Sequence, residues 1–135
     1  MRVKKTIEYR VPYADTDQMG VVYYANYLEY FERVRNELLR DTDASYKMME
    51  AQGVMLPVIE AVCKYKKSAV YDDLLEISAW VENLKGPKVK ICCEVRKNGE
   101  LLTEGYTVHA CVNTETMRPV RPPANIVDLA NGSCA

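Results

Sequence analysis

The chain has 135 residues, 48% hydrophobic and 27% charged, with 18 Lys and Arg against 19 Asp and Glu. That length holds one domain with a core of its own and leaves no room for two substantial ones, so residues 1–135 read as a single domain. The composition excludes wholesale disorder, and a formal charge of −1 argues against nucleic-acid binding, which usually rests on a basic excess.

Residues 4–11 alternate, with Ile7, Tyr9 and Val11 on one face and Thr6, Glu8 and Arg10 on the other. This predicts a half-buried strand, ended by Pro12. Residues 13–25, YADTDQMGVVYYA, form a polar and then aromatic connection. From Asn26 to Asp41 the spacing of Tyr27, Tyr30, Phe31, Val34 and Leu38 predicts one long amphipathic helix, and Asn26 with Glu29 resembles a capping box at its start. A second, short helix is expected over Ala44–Gln52, stopping at Gly53.

After that the period becomes two. Leu56–Lys67 is rich in Val, Ile and Tyr, with apolar or small residues on both faces over 56–65. Leu75, Ile77, Ala79 and Val81 alternate with Glu76, Ser78, Trp80 and Glu82, and Val89, Ile91, Cys93 and Val95 with Lys90, Cys92, Glu94 and Arg96. Asn98-Gly99 marks a tight hairpin. Leu101–Asn113 is the return strand, with Tyr106, Val108, Ala110 and Val112 on one face. The tail RPVRPPANIVDLA is broken by prolines and leaves room for a short terminal helix.

Helices segregated from strands joined by short turns predict an α+β domain with an antiparallel sheet. One helix covers five such strands only if the sheet curls around it. The two-sided apolar strand points to an outer cover, such as a second copy of the chain.

The five cysteines, Cys63, Cys92, Cys93, Cys111 and Cys134, are odd in number and include no CxxC pair. This is the usage of a reduced, cytoplasmic protein. The opening residues lack the apolar run of a signal peptide, and no stretch approaches the ~18 apolar residues of a membrane span. The single histidine, His109, cannot build a His-based metal cluster within one subunit, and its place between Val108 and Ala110 suits a sheet-face histidine.

There is no GxSxG elbow and no phosphate-cradling glycine loop. The unusual segment is the loop 13–27, which sets Asp15 and Asp17 just before the long helix. A helix start presents unpaired N–H groups and a positive dipole end. These would stabilise an oxyanion, with a carboxylate beside them as nucleophile or general base. Thioester hydrolysis suits that pairing, because a thiolate leaves without much acid catalysis. The same two aspartates also suit Asx turns and a helix cap, and the spacing alone leaves both possibilities open.

The run YADTDQMGVVYYANYLEYFERVRNELLR, followed by YKKSAVYDDLLEI and HACVNTETMRPVRPP, resembles the hotdog-fold acyl-CoA thioesterases of the 4-hydroxybenzoyl-CoA thioesterase and YbgC-like group. The resemblance covers about residues 5–127. It implies a hotdog fold, a curled antiparallel sheet wrapped around one long central helix, assembled as a homodimer or homotetramer. It implies hydrolysis of an acyl- or aroyl-CoA to free acid and CoA, with no metal or organic cofactor. Asp17 matches the catalytic carboxylate, and Tyr24 the position whose backbone N–H polarises the thioester carbonyl. Gly20 matches the glycine that lets backbone approach the substrate, while Asp15 is matched as a structural neighbour in an Asx turn. Many YbgC-like members carry histidine where this chain has Tyr24, so a mechanism using a loop histidine has no residue here.

Glu32 is an alternative carboxylate, since other hotdog thioesterases place theirs on the helix. Met19, Tyr27, Met55, Leu56 and Val58 are candidates to line the acyl group. Lys85 and Lys88, with Lys90, Arg118 and Arg121 as weaker candidates, could meet CoA phosphates. Two other functions stay open: an acyl carrier protein thioesterase docking its acidic partner on the basic turn, and a hotdog module that binds acyl thioesters without turnover.

Overall fold

The alternation at the N-terminus forms β1 (Lys4–Arg10), with outward residues exposed and Ile7 and Tyr9 packed against the core. The computed structural model describes residues 3–41 and 46–131. Cys134, and Ala44 and Ser45 of the expected second helix, lie outside the described residues. A 3-10 turn at Tyr13–Asp15 leads through the loop to α1 (Asn26–Arg40). Then come α2 (Tyr46–Ala51), β2 (Val54–Met55), β3 (Val58–Tyr65), β4 (Leu74–Lys85), β5 (Lys88–Lys97), β6 (Glu100–Ala110), β7 (Val112–Asn113) and α3 (Ala124–Asn131).

Five strands form one antiparallel sheet in the order β1-β4-β5-β6-β3, and β2 pairs separately with β7. The inward faces of β4 and β5 are those the alternation predicts. Leu75, Ile77, Ala79 and Val81, and Val89, Ile91, Cys93 and Val95, are all at most 1% exposed. Both residues of the Asn98-Gly99 turn have positive φ, 51° and 83°, the conformation of a two-residue hairpin whose twist matches its strands. The sheet curls about α1, which packs against β1, β3, β4 and β5. Tyr27, Tyr30, Phe31, Val34 and Leu38 are buried along the predicted stripe, joined by Leu39 and Arg35. Truncating Phe31, fully buried at the centre, would cost about 3–5 kcal/mol. α3 closes one end of the core against β4 with Ile126 and Leu129.

Two expectations change. The helix is not closed by a capping box: its N-cap is Ala25, with no side-chain bond. Asn26 is already the first helical residue, and its Nδ2 donates to the Asp15 carbonyl at 2.9 Å. The return strand is not continuous either. It breaks at Cys111, whose N–H donates to the Pro87 carbonyl, and β7 turns away to pair with β2.

Tyr106, Val108 and Ala110 do share a face, but it is the outer one. The inner face of β6 carries Thr103, Gly105, Thr107 and His109. Two of its buried polar groups, Thr107 and His109, are stable there because each is hydrogen-bonded. His109 Nδ1 lies 2.9 Å from the Leu56 carbonyl and therefore carries the proton, so Nε2 accepts from the Thr107 hydroxyl at 2.8 Å. Thr107 in turn accepts from Arg35 at 3.5 Å. Burial pulls the His109 pKa down to about 4, so the ring is neutral at pH 7, a sheet-face histidine as expected.

Candidate active site

The loop before α1 is built by hydrogen bonds that separate its two aspartates. Asp15 Oδ2 accepts the Tyr9 hydroxyl at 2.8 Å and the Tyr30 hydroxyl at 2.7 Å. The Asp15 carbonyl accepts the N–H of Tyr23 at 2.9 Å and Asn26 Nδ2 at 2.9 Å. One residue thus ties β1, the loop and α1 together. Burial, reinforced by Asp15, pushes the Tyr9 phenol up to about 12 and raises Tyr30 as well.

Asp17 begins a tight reversal. Its N–H donates to the Val21 carbonyl at 2.9 Å, and the Gly20 N–H donates back to its carbonyl at 3.0 Å. Its Oδ1 accepts the Met19 N–H at 2.8 Å. The Asx turn expected at Asp15 is therefore at Asp17, and Asp15 takes tyrosine hydroxyls instead. The reason is geometric: Asp15 ends a 3-10 turn with its side chain toward Tyr9 and Tyr30, while Asp17 opens the reversal. Gly20 has φ 79°, and a Cβ there would meet nothing within 4 Å. Its need for glycine is thus conformational within this chain, and it does not line the hollow.

That hollow, about 190 Å³, is lined by Asp17, Met19, Tyr24, Tyr27, Tyr65 and Lys67 among others. It sits where the loop is pinned to the 66–73 segment by the Val22 N–H to Ala69 carbonyl bond at 2.9 Å. Tyr65 donates its hydroxyl to the Tyr24 carbonyl at 3.0 Å, and the Tyr27 ring packs edge-on against Tyr65 at 5.4 Å. The N–H groups of Asn26, Tyr27 and Leu28 donate to carbonyls three residues back. Among the described residues the amides of Tyr24 and Ala25 have no such acceptor. The positive end of α1 therefore leaves its unspent donors one step before the helix, at the hollow's edge.

The other expected site residues lie elsewhere within one chain. Glu32 and Val58 share a separate hollow of about 230 Å³ between α1 and β3. Leu56 is 6% exposed in the core, and Met55 pairs with Val112 in the small ladder. Lys85 and Lys88 are exposed partners at the tip of the β4–β5 hairpin. Gly86 of that tip lines a further hollow with Arg121. Arg118 accepts the Asn113 N–H on its carbonyl. Lys90 lies over the Tyr106 ring at 4.2 Å. Sequence reasoning gave no role to Tyr65 and Lys67. Their signal was present in YKKSAVYDD, a Tyr-Lys-Lys-Ser run closing a strand, but nothing local places it against the 13–25 loop.

A family model described as the thioesterase-like superfamily matches residues 11–129. The chain is 38% identical to YneP of Bacillus subtilis over 119 residues, 87% of this chain and 85% of that one. It is 34% identical to the acyl-CoA thioester hydrolase YbgC of Escherichia coli O6:H1, over 87% of this chain and 89% of that one. Among solved structures it resembles the DHNA-CoA thioesterase of Staphylococcus aureus, with a TM-score of 0.84 and 32% identity, covering 95% of this chain and 87% of the other.

Proposed function

The chain belongs to the thioesterase-like superfamily, with its hotdog fold, and is an acyl-CoA thioester hydrolase; from that premise we propose that Asp17 is its catalytic carboxylate. Asp17 either activates water against the thioester carbonyl or attacks it directly, in which case water then hydrolyses the acyl anhydride on Asp17 to release the free acid and restore the carboxylate. The developing oxyanion accepts hydrogen bonds from amides at the start of α1, that of Tyr24 among them, and CoA leaves as the thiolate. The observation that carries this is that Asp17 and Tyr24 line one hollow while the Tyr24 amide has no acceptor among the described residues. Glu32 is the weaker candidate because it lines a different hollow.

A hollow of about 190 Å³ falls short of the ~300–1,000 Å³ typical of ligand pockets. The missing walls belong to a second copy in a homodimer. In support, β3 is an edge strand carrying Val58 and Ile59 at 48% and 53% exposure, next to Leu28 of α1 at 40%. Lys85 and Lys88, away from the Asp17 hollow of their own chain, then meet the CoA of the neighbouring site. Residues 1–135 act as one such domain in the cytoplasm; no helix among the described residues is long and apolar enough to cross a membrane.

A panel of acyl- and aroyl-CoA thioesters, read by free-thiol release, tests the proposal, with a carrier-protein thioester as a separate arm. Release from CoA esters supports it. Release from the carrier-protein ester alone would overturn CoA as the carrier, and tight binding with no release from any member would overturn turnover itself.

A further inference from the structure

Among the described residues the amides of Tyr24 and Ala25 have no acceptor, but the two are held by different means. A peptide unit is planar, and in its trans form the C=O and N–H point to opposite edges. Whatever grips the carbonyl of one residue therefore aims the N–H of the next. The Tyr24 N–H shares its peptide with the Tyr23 carbonyl, which accepts the Asn26 N–H at 2.9 Å. The helix itself supplies that bond. The Ala25 N–H shares its peptide with the Tyr24 carbonyl, for which the helix supplies only the Tyr27 N–H at 3.4 Å. Well-formed N–H···O bonds reach no further than ~3.2 Å.

The stronger grip on the Tyr24 carbonyl comes from outside the helix. Tyr65, the last residue of β3, donates its hydroxyl there at 3.0 Å. The backbone that carries it is pinned. Tyr65 pairs with Thr103 across the β3–β6 ladder, and the N–H groups of Lys66 and Lys67 both donate to the Leu102 carbonyl, at 2.8 and 3.1 Å. Its ring stands edge-on to Tyr27 and to Tyr24, with centroids 5.4 and 6.5 Å away. Burial, reinforced by Cys63, pushes the phenol up to about 12, so at neutral pH it keeps the proton it donates.

A donor on a peptide oxygen polarises the whole amide, which strengthens the N–H at its other edge. A donor whose direction is already fixed also costs no reorganisation when negative charge develops against it. Tyr65 supplies both effects to the one unspent amide that the helix holds poorly.

We propose that Tyr65 is a positioning residue for the oxyanion hole: its hydroxyl sets and polarises the Tyr24–Ala25 peptide, so that the Ala25 N–H serves beside that of Tyr24 as a second donor to the thioester oxyanion. This rests on the reading that Asp17 and the start of α1 form the catalytic site. Tyr65 acts through that peptide and exchanges no proton with the substrate.

Steady-state free-thiol release by Tyr65→Phe, with Asp17→Asn measured beside it, tests the proposal. The phenylalanine keeps the ring and removes only the hydroxyl. Losing an oxyanion donor outright costs roughly 10²–10³-fold, so loosening one is expected to lower kcat roughly tenfold, with KM within about twofold. The amide nitrogen resonance of Ala25 is expected to move in the same variant. Tyr65→p-aminophenylalanine returns an N–H donor to the far end of the ring and is expected to recover most of the lost turnover, which also keeps the test sound should the phenylalanine variant pack poorly. An unchanged kcat in Tyr65→Phe beside an inactive Asp17→Asn overturns the positioning role and leaves the catalyst in place. Unchanged kcat in both variants overturns the site itself. A slow Tyr65→Phe beside an active Asp17→Asn supports the positioned donor and removes Asp17. A raised KM at unchanged kcat overturns positioning in favour of plain substrate contact, and an aminophenylalanine variant as slow as the phenylalanine one overturns the hydrogen bond as the cause.

Discussion

Tyr30 donates its hydroxyl to Asp15 Oδ2 at 2.7 Å, fixing the first aspartate of the loop to the fifth residue of the helix that follows it. The Tyr9 hydroxyl reaches the same oxygen. Asp15 thereby holds the loop at a set height against α1, and the position of Asp17 and the Tyr24 amide follows from it.

Because both hydroxyls fall on one oxygen, the charge of Asp15 is dispensable in a way its acceptor is not. A carboxamide oxygen has two lone pairs and can take both donors. Asp15→Asn is expected to fold with a loss of about 1 kcal/mol or less, whereas Asp15→Ala, leaving two hydroxyls without an acceptor, loses about 2 kcal/mol or more. Denaturant titration of the two variants checks this; equal losses would count against the anchor.

His109 carries a pH signature. Its pKa is pulled from the ordinary 6.5 down to about 4 by burial, so the folded state resists the proton that the unfolded state accepts. The stabilisation is complete above about pH 6.5 and is lost as pH falls toward about 4, on the order of 3 kcal/mol for a shift of this size. Unfolding midpoints measured from pH 7 to pH 4 are expected to slope downward, and His109→Gln to flatten that slope. A wild-type slope retained in the variant would assign it to carboxylates.

These residues also show what was legible from the chain. The inward faces of β4 and β5 were readable because every inward residue is apolar, so period two and burial coincide. The inward face of β6 was not. Thr107 and His109 are buried by bonding to each other and to Leu56, a residue 53 positions from His109, and alternation therefore favoured Tyr106 and Val108. The loop showed two carboxylates before a helix, but which one makes the Asx turn depends on Tyr9 and Tyr30, which only the fold brings together. The role assigned to Asp17 came from resemblance and not from spacing. Met55, Leu56 and Val58 were grouped by adjacency, and the chain then divides them among a small ladder, the core and an exposed edge.

Gly105 is demanded by packing. A Cβ there would sit 2.0 Å from the Val62 carbonyl oxygen on the neighbouring strand, and backbone on both sides cannot yield as a flexible side chain would. Gly105→Ala is expected to cost about 3 kcal/mol or more, as an overpacked core site does. At Gly20, where φ is 79° but nothing lies within 4 Å of a Cβ, Gly20→Ala is expected to cost only about 1 kcal/mol of backbone strain. Thermal melts of the two variants should differ plainly; similar melts would mean that β3 and β6 separate at little cost.

Asp17 is the sharpest test because its structural and chemical duties come apart in one substitution. The Asx turn uses Oδ1 as an acceptor for the Met19 N–H, and the carbonyl oxygen of asparagine serves that bond equally well. The fold and the loop should survive Asp17→Asn, with a stability change of about 0.5 kcal/mol or less. A carboxamide is neither a nucleophile toward a thioester nor a base near neutral pH. Turnover is therefore expected to fall by roughly 10²-fold or more, with KM little changed, as for loss of a positioned base or nucleophile. Glu32→Gln is the matched comparison, since Glu32 lies in the separate hollow beside Val58 and its loss should leave most of the turnover. The pair is read by steady-state free-thiol release beside a thermal melt. A folded Asp17→Asn enzyme turning over within about threefold of the unmodified chain would remove Asp17 as the catalyst, and a large loss in Glu32→Gln instead would move the chemistry to the hollow between α1 and β3.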